Sequence, residues 1–157
     1  MTWGLHRTWP CVLAALFASQ AWADGGSRLA RAPLLPKYAQ ERAACHLAYP
    51  PAMLPAASWQ RVMANLPRHY GTDASLDPAT ASALAAWLTA NAATGARGRE
   101  PPPDDRITRS GWFSREHHEL AASTWKLPKV RNAANCAACH TQADQGDFNE
   151  HNVRIPR

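Results

Sequence analysis

Apolar positions in this chain recur at intervals of three and four rather than two. Trp59, Val62, Met63 and Leu66 stand at i, i+3, i+4 and i+7, which places them on one face of a helix. Ser58 is positioned to cap that helix and Pro67 to end it. A second stripe, Ala81, Leu84, Ala85, Leu88 and Ala92, has the clearest start, with Asp77 as N-cap and Pro78 at the first helical position. Gly95 is the expected closing residue. A third helix is expected to begin near Ser114 and to carry Phe113, His117, Leu120 and Ala121 on one side. A short fourth helix should hold Cys136 to His140. Sustained alternation is missing, so few strands are expected.

The start of the chain has a different pattern. His6 and Arg7 precede an apolar run from Trp9 through Ala18, and Ala21-Trp22-Ala23 stands before Asp24. This is the layout of a secretory signal peptide, residues 1–23, with a run too short to span a bilayer unaided. Removing those 23 of 157 residues leaves 134, a length that suits one domain at 24–157. Within it, residues 24–40 look irregular, and a first lobe is expected over about 38–93. A polar, proline-rich connector over about 94–105 contains Pro101-Pro102-Pro103-Asp104-Asp105, and a second lobe covers about 106–157. Ala79 to Ala96 is uncharged but rich in Ala, Thr, Ser and Asn, so the mature chain is not expected to span a membrane. An exported chain of this kind is expected in the periplasm.

Cleavage after Ala23 takes Lys plus Arg from 17 to 16 against 12 acids, a charge of +4. That balance is too small and scattered to suggest DNA or other nucleic acid as a partner, although a basic surface could steer an acidic redox partner. Cleavage also removes Cys11 and leaves Cys45, Cys136 and Cys139, an odd set that argues against a simple disulfide framework. Phe, Tyr and Trp together make up 8% of the chain and alanine is abundant, a poor inventory for a large core. A flat apolar cofactor would give such helices something to pack on, each ~25 cal/mol per Å² of buried apolar area favouring folding.

Cys136-Ala137-Ala138-Cys139-His140 supplies the cofactor's identity. Two thiols three residues apart with an adjoining histidine form the c-type haem attachment signature: Cys136 and Cys139 add across the two vinyl groups and His140 faces the iron. Zinc would want another paired motif at ligand spacing, and none is present. Arg42-Ala43-Ala44-Cys45-His46 repeats the frame with arginine in place of the first cysteine. Cys45 and His46 are therefore candidates for a second haem held by one thioether or by none.

Ligands on the far side must come from His69, His117, His118, His151, Met53 or Met63. On a helix, His117 shares a face with Phe113, Leu120 and Ala121, whereas His118 is turned about 100° away. This favours His117 as a ligand and leaves His118 solvated. Met63 lies on a core stripe and reads as filler. Met53 is the one credible thioether ligand, and His151 sits in a polar tail.

Tyr38, Glu41, Cys45-His46, Tyr49-Pro50-Pro51, Leu54-Pro55, Ser58-Trp59, His69-Tyr70-Gly71 and Ala74-Ser75-Leu76 occur in that order. Arg106-Ile107-Thr108, Trp112-Phe113, His117 and the Cys136 motif follow. In these motifs the chain resembles the family of small exported dihaem cytochromes c over nearly all of its mature length. The resemblance implies a mainly α, small two-lobed c-type cytochrome, with short helices packed around one or two haems and long irregular connections. It also implies His69 as a ligand, so that His46 pairs with His69 and His140 with His117; a crossed pairing would use the same residues. Arg42 is the departure, since the family pattern has a haem-binding cysteine there.

The function implied is electron carriage through bis-histidine iron, not enzymatic catalysis. The partners implied are other haem proteins or a membrane cytochrome b. Two alternatives stay open: a small-ligand sensor or enzyme at the degenerate first site, and a monohaem cytochrome whose first site is empty. No Gly-rich phosphate loop is present, a Ser-His-Asp arrangement cannot be singled out, and Asp104-Asp105 sit in the connector, where solvation accounts for them.

Overall fold

The computed structural model describes Met1, residues 35–43 and residues 46–157, with the side chains of Arg42 and Ala43 set aside. The proposed signal peptide and Cys45 lie outside the described residues. Among those described there are five α-helices, a series of 3-10 turns and isolated bridges in place of strands. The fold is mainly helical, as expected.

Helix α1, Pro36–Ala43, occupies part of the stretch expected to be irregular. Pro36 sits at its first position, where a missing N–H costs nothing. Tyr38, 1% exposed, anchors it and donates to the Tyr49 carbonyl at 3.0 Å. Helix α2, Ala56–Ala64, begins at Pro55 rather than at Ser58. Ser58 lies buried inside the first turn, its own N–H already donating to the Pro55 carbonyl at 3.0 Å, and it does not act as the cap. The helix stops at Asn65, and Pro67 falls inside a 3-10 turn, Leu66–Arg68. Helix α3, Pro78–Ala90, starts as read from sequence, with the Asp77 carboxylate accepting from the Thr80 N–H at 2.9 Å. It ends at Asn91, four residues before Gly95, because the Asn91 side chain itself donates to the Trp87 carbonyl at 2.8 Å. Gly95 opens a separate short helix instead, α4, Gly95–Gly98.

Helices α2 and α3 pack on each other. Tyr38, Leu54, Trp59, Met63, Leu66, Leu84 and Leu88 form a buried cluster, with Ala81, Ala85 and Trp87 around it. Leu84 and Leu88 have no exposed surface, and the Trp59 indole donates to the Pro51 carbonyl at 2.7 Å. This cluster is the wall against which the His46–His69 side of the molecule is built.

The third expected helix is shorter and earlier than its apolar pattern suggested. Helix α5, Gly111–Glu116, is capped by Ser110, whose hydroxyl accepts from the Phe113 N–H at 3.2 Å. It ends at His117, so Leu120 and Ala121 do not share its face. The Cys136 motif forms a 3-10 turn, Cys136–Ala138, closed by the Cys139 and His140 N–H groups donating to the Cys136 carbonyl at 3.1 and 2.8 Å. Residues beyond it fold back: His140 bridges Val153, the Arg154 N–H donates to the Cys139 carbonyl at 2.8 Å, and the Thr141 hydroxyl donates to the Asn152 carbonyl at 2.9 Å. No described helix is long and apolar enough to cross a membrane.

Candidate haem sites

Four candidate histidines meet in two pairs. The His46 and His69 rings face each other with centroids 6.1 Å apart and planes 27° apart. The His117 and His140 rings are also 6.1 Å apart, crossed at 75°. Two imidazoles bound on opposite sides of one metal ion, each through a nitrogen at about 2.0 Å, put their centroids roughly 6 Å apart. The Nδ1 atoms of His46 and His117 lie 2.6 and 2.9 Å from the Leu47 and Phe113 carbonyls. A carbonyl there fixes the proton on Nδ1 and turns the Nε2 lone pair outward as a ligand. His140 Nδ1 is buried with no hydrogen-bond partner. Burial, and secondarily the charge of His117, hold its pKa below the usual imidazole value, which favours the neutral, metal-binding form.

The His46–His69 pair lines a cavity of about 780 Å³. Leu54, Trp59, Val62 and Ile107 supply apolar wall, Arg106 and Arg131 cationic rim, and Cys136 its far end. His69 reaches it from a tight turn, with the Thr72 N–H donating to the His69 carbonyl at 3.0 Å. Tyr70 and Gly71 occupy φ +50° and +98° there, a conformation strained for Tyr70. The Tyr70 hydroxyl offsets the strain by donating to the Asp104 and Asp105 carbonyls at 3.1 and 3.0 Å. Arg61 clamps Asp105 with two bonds of 2.8 and 2.6 Å. The connector thus braces the turn that presents His69.

His117 gains its place from the end of α5 rather than from a helical face. Its ring stacks on Phe113 at 4.1 Å and meets Trp125 at 5.8 Å, while Phe148 stands 5.2 Å from His140. His118 is exposed, its Nδ1 2.8 Å from the Arg115 carbonyl. His151 is exposed in the tail. Met63 is core filler, and Met53, 3% exposed, lines a different cleft from the one between His46 and His69. Cys139 is buried and Cys136 half-buried; burial pushes the Cys136 thiol up to about 11 and the Cys139 thiol in the same direction.

One side chain joins the two sites, and the sequence reading gave it no role. The Tyr49 ring stacks on His46 at 5.0 Å, and its hydroxyl donates 2.8 Å to the Ala134 carbonyl, two residues before Cys136. Its only sequence signal is its place in Tyr49-Pro50-Pro51.

The described residues contain no group of three or more His, Cys, Asp or Glu poised for a bare metal ion. Two imidazoles per site, beside a large cavity with an apolar wall and a paired-thiol turn, suit a metal that brings its own in-plane ligands. A mainly helical shell with that equipment defines a small c-type cytochrome.

The comparisons place it more narrowly. The family described as dihaem cytochrome c matches residues 38–148. The chain is similar to the diheme cytochrome type c of Shewanella baltica OS155, at 35% identity and a TM-score of 0.68 over 77% of this chain and 92% of that one. It is similar to the diheme cytochrome c of Rhodobacter sphaeroides in two structures. One has 45% identity and a TM-score of 0.62 over 73% of this chain and 97% of that one. The other has 42% identity and a TM-score of 0.66 over 74% and 98%. No curated protein matches. The chain belongs to the dihaem cytochrome c family, and is a haem-binding cytochrome.

Proposed function

We propose that this chain is an exported, periplasmic electron carrier in which two haem irons are each held between two imidazoles, His46 with His69 and His117 with His140. The observation that carries the reading is the equal 6.1 Å spacing of the two ring pairs. Haem supplies reversible one-electron chemistry at iron when bound. The protein's part is to hold and insulate. The Leu47 and Phe113 carbonyls orient His46 and His117. Leu54 together with Trp59 and Val62 of α2 keeps water from one side of the larger cavity, and Arg106 and Arg131 offer it donors suited to the group's carboxylates. Cys136 and Cys139 form two thioethers. Cys45 would form at most one, since Arg42 stands where a second thiol would be. With two imidazoles on each iron no position is open to substrate, which is why the reading is a carrier rather than an enzyme. The pattern of residues 1–23 supports export, and other haem proteins or a membrane cytochrome b are the partners.

Intact mass combined with a pyridine haemochrome titration tests this. Two haems per chain are expected, and Arg42→Cys should strengthen covalent retention of the first under acid-acetone extraction. A single haem per chain in both proteins overturns the two-site reading.

A further inference from the structure

Away from both histidine pairs, a cleft of about 300 Å³ opens beside the connector, between α4 and α5. Arg97, Arg109, Arg115 and Trp112 line it, with Glu100 as its one acid. Arg109 is already paired with Asp104. Among the described residues Arg97 and Arg115 form no ion pair. The Arg97 guanidinium carbon stands over the Trp112 ring, 4.9 Å from its centroid, and Arg115 makes a long 3.4 Å bond to the Gly111 carbonyl. A guanidinium stacked on an indole keeps its N–H edge free for a carboxylate. The stack is held in place: Trp112 donates to the buried Met53 carbonyl at 3.3 Å, and Gly98 packs against the Ala93 carbonyl, where no Cβ would fit.

The same tryptophan starts a line of rings. Trp112 meets Phe113 at 6.2 Å, Phe113 stacks on His117 at 4.1 Å, and His117 faces His140 at 6.1 Å. A cationic cleft whose floor leads by aromatic contact to a candidate iron ligand combines recognition with access.

We propose that the Arg97–Trp112–Arg115 cleft is the docking surface for the acidic face of a one-electron redox protein, whose carboxylates the two unpaired guanidinium groups receive. This rests on the electron-carrier reading. The exchange transfers one electron, oxidising one partner as the other is reduced, and no bond forms or breaks.

The test uses the haem-loaded full chain and two probes. A hexaglutamate peptide measures binding by calorimetry. Stopped-flow oxidation of the reduced protein by anionic ferricyanide, and by cationic tris(phenanthroline)cobalt(III), measures access. The proposal expects Arg97→Gln/Arg115→Gln to abolish peptide binding and to slow ferricyanide about ten-fold at low ionic strength, an effect that shrinks with added salt. The cobalt rate should not fall. Lys126→Gln/Lys129→Gln, on an exposed stretch elsewhere, should leave peptide binding and the ferricyanide rate within two-fold. A normal cobalt rate with peptide binding and ferricyanide rate indifferent to Arg97 and Arg115 overturns the docking surface alone. So does a lysine variant that loses as much as the arginine variant. A wild-type protein that exchanges electrons with neither reagent overturns the carrier reading and the docking surface together.

Discussion

Tyr49→Phe isolates the one side-chain hydrogen bond seen between the His46 stack and the Cys136 loop. Phenylalanine keeps the ring and its stack on His46 at 5.0 Å, so the loss is confined to the hydroxyl and its 2.8 Å bond to the Ala134 carbonyl. Such a bond contributes about 0.5–1.5 kcal/mol net, and the lower half applies because water can reach this acceptor. In a domain of this size that lowers Tm by about 2–4 °C. Thermal melting of the holoprotein at pH 7, followed in the far ultraviolet and at the Soret band, should show that shift in both signals. The pH dependence is a second check. Burial, aided by the nearby Cys136, pushes the phenol from 10.0 up to about 12, and burial is the larger cause, so the shift survives conversion of the thiol to a thioether. With the folded pKa above the unfolded one, the stability conferred by the neutral phenol is complete below pH 10 and is lost as pH rises toward 12. The gap between wild type and variant should therefore close over that window. A variant that melts with the wild type at pH 7, or a gap that widens above pH 10, refutes the assignment of this bond.

Three further outcomes are expected. His117→Ala should let the reduced protein bind one equivalent of carbon monoxide, whereas His118→Ala should leave the visible spectrum unchanged. Leu84→Ala should cost about 2–5 kcal/mol in chemical denaturation, because Leu84 has no exposed surface and faces a packed cluster. Asp105→Asn should loosen the brace behind His69. The paired hydrogen bonds from Arg61 hold the Asp105 carboxyl below its usual 3.8, so its contribution is present above that pH and lost as pH falls through the lowered value. Hydrogen exchange across residues 69–72 should accelerate in the variant at pH 7 and converge with the wild type in acid.

Elements whose signals are local were legible in the sequence. Helix α3 was readable because cap, proline and apolar stripe lie within fifteen residues of one another and agree. The Cys136 motif was readable because covalent chemistry demands its spacing. The expected reach of α5 to Ala121 failed because the apolar pattern continues past His117 while the backbone does not. Once the His117 ring packs on Phe113 and its Nδ1 is 2.9 Å from the Phe113 carbonyl, the helix has its end. The same geometry separates His117 from exposed His118 without any appeal to a helical face. Tyr49 and the Tyr70–Asp105–Arg61 brace were invisible, since each joins positions more than thirty residues apart and nothing in either segment alone announces the other.

The tail's return to the motif makes assembly order matter. His46, His69, His117, His140 and both paired thiols precede residue 149, yet the backbone that steadies His140 comes from Val153 and Arg154. A nascent chain can thus present its thiols for attachment while the imidazole behind them is still loosely held. Val153 and Arg154 then act as a clasp on the motif, and substitutions that break their backbone contacts should loosen the turn that carries His140 before they disturb the α2–α3 core.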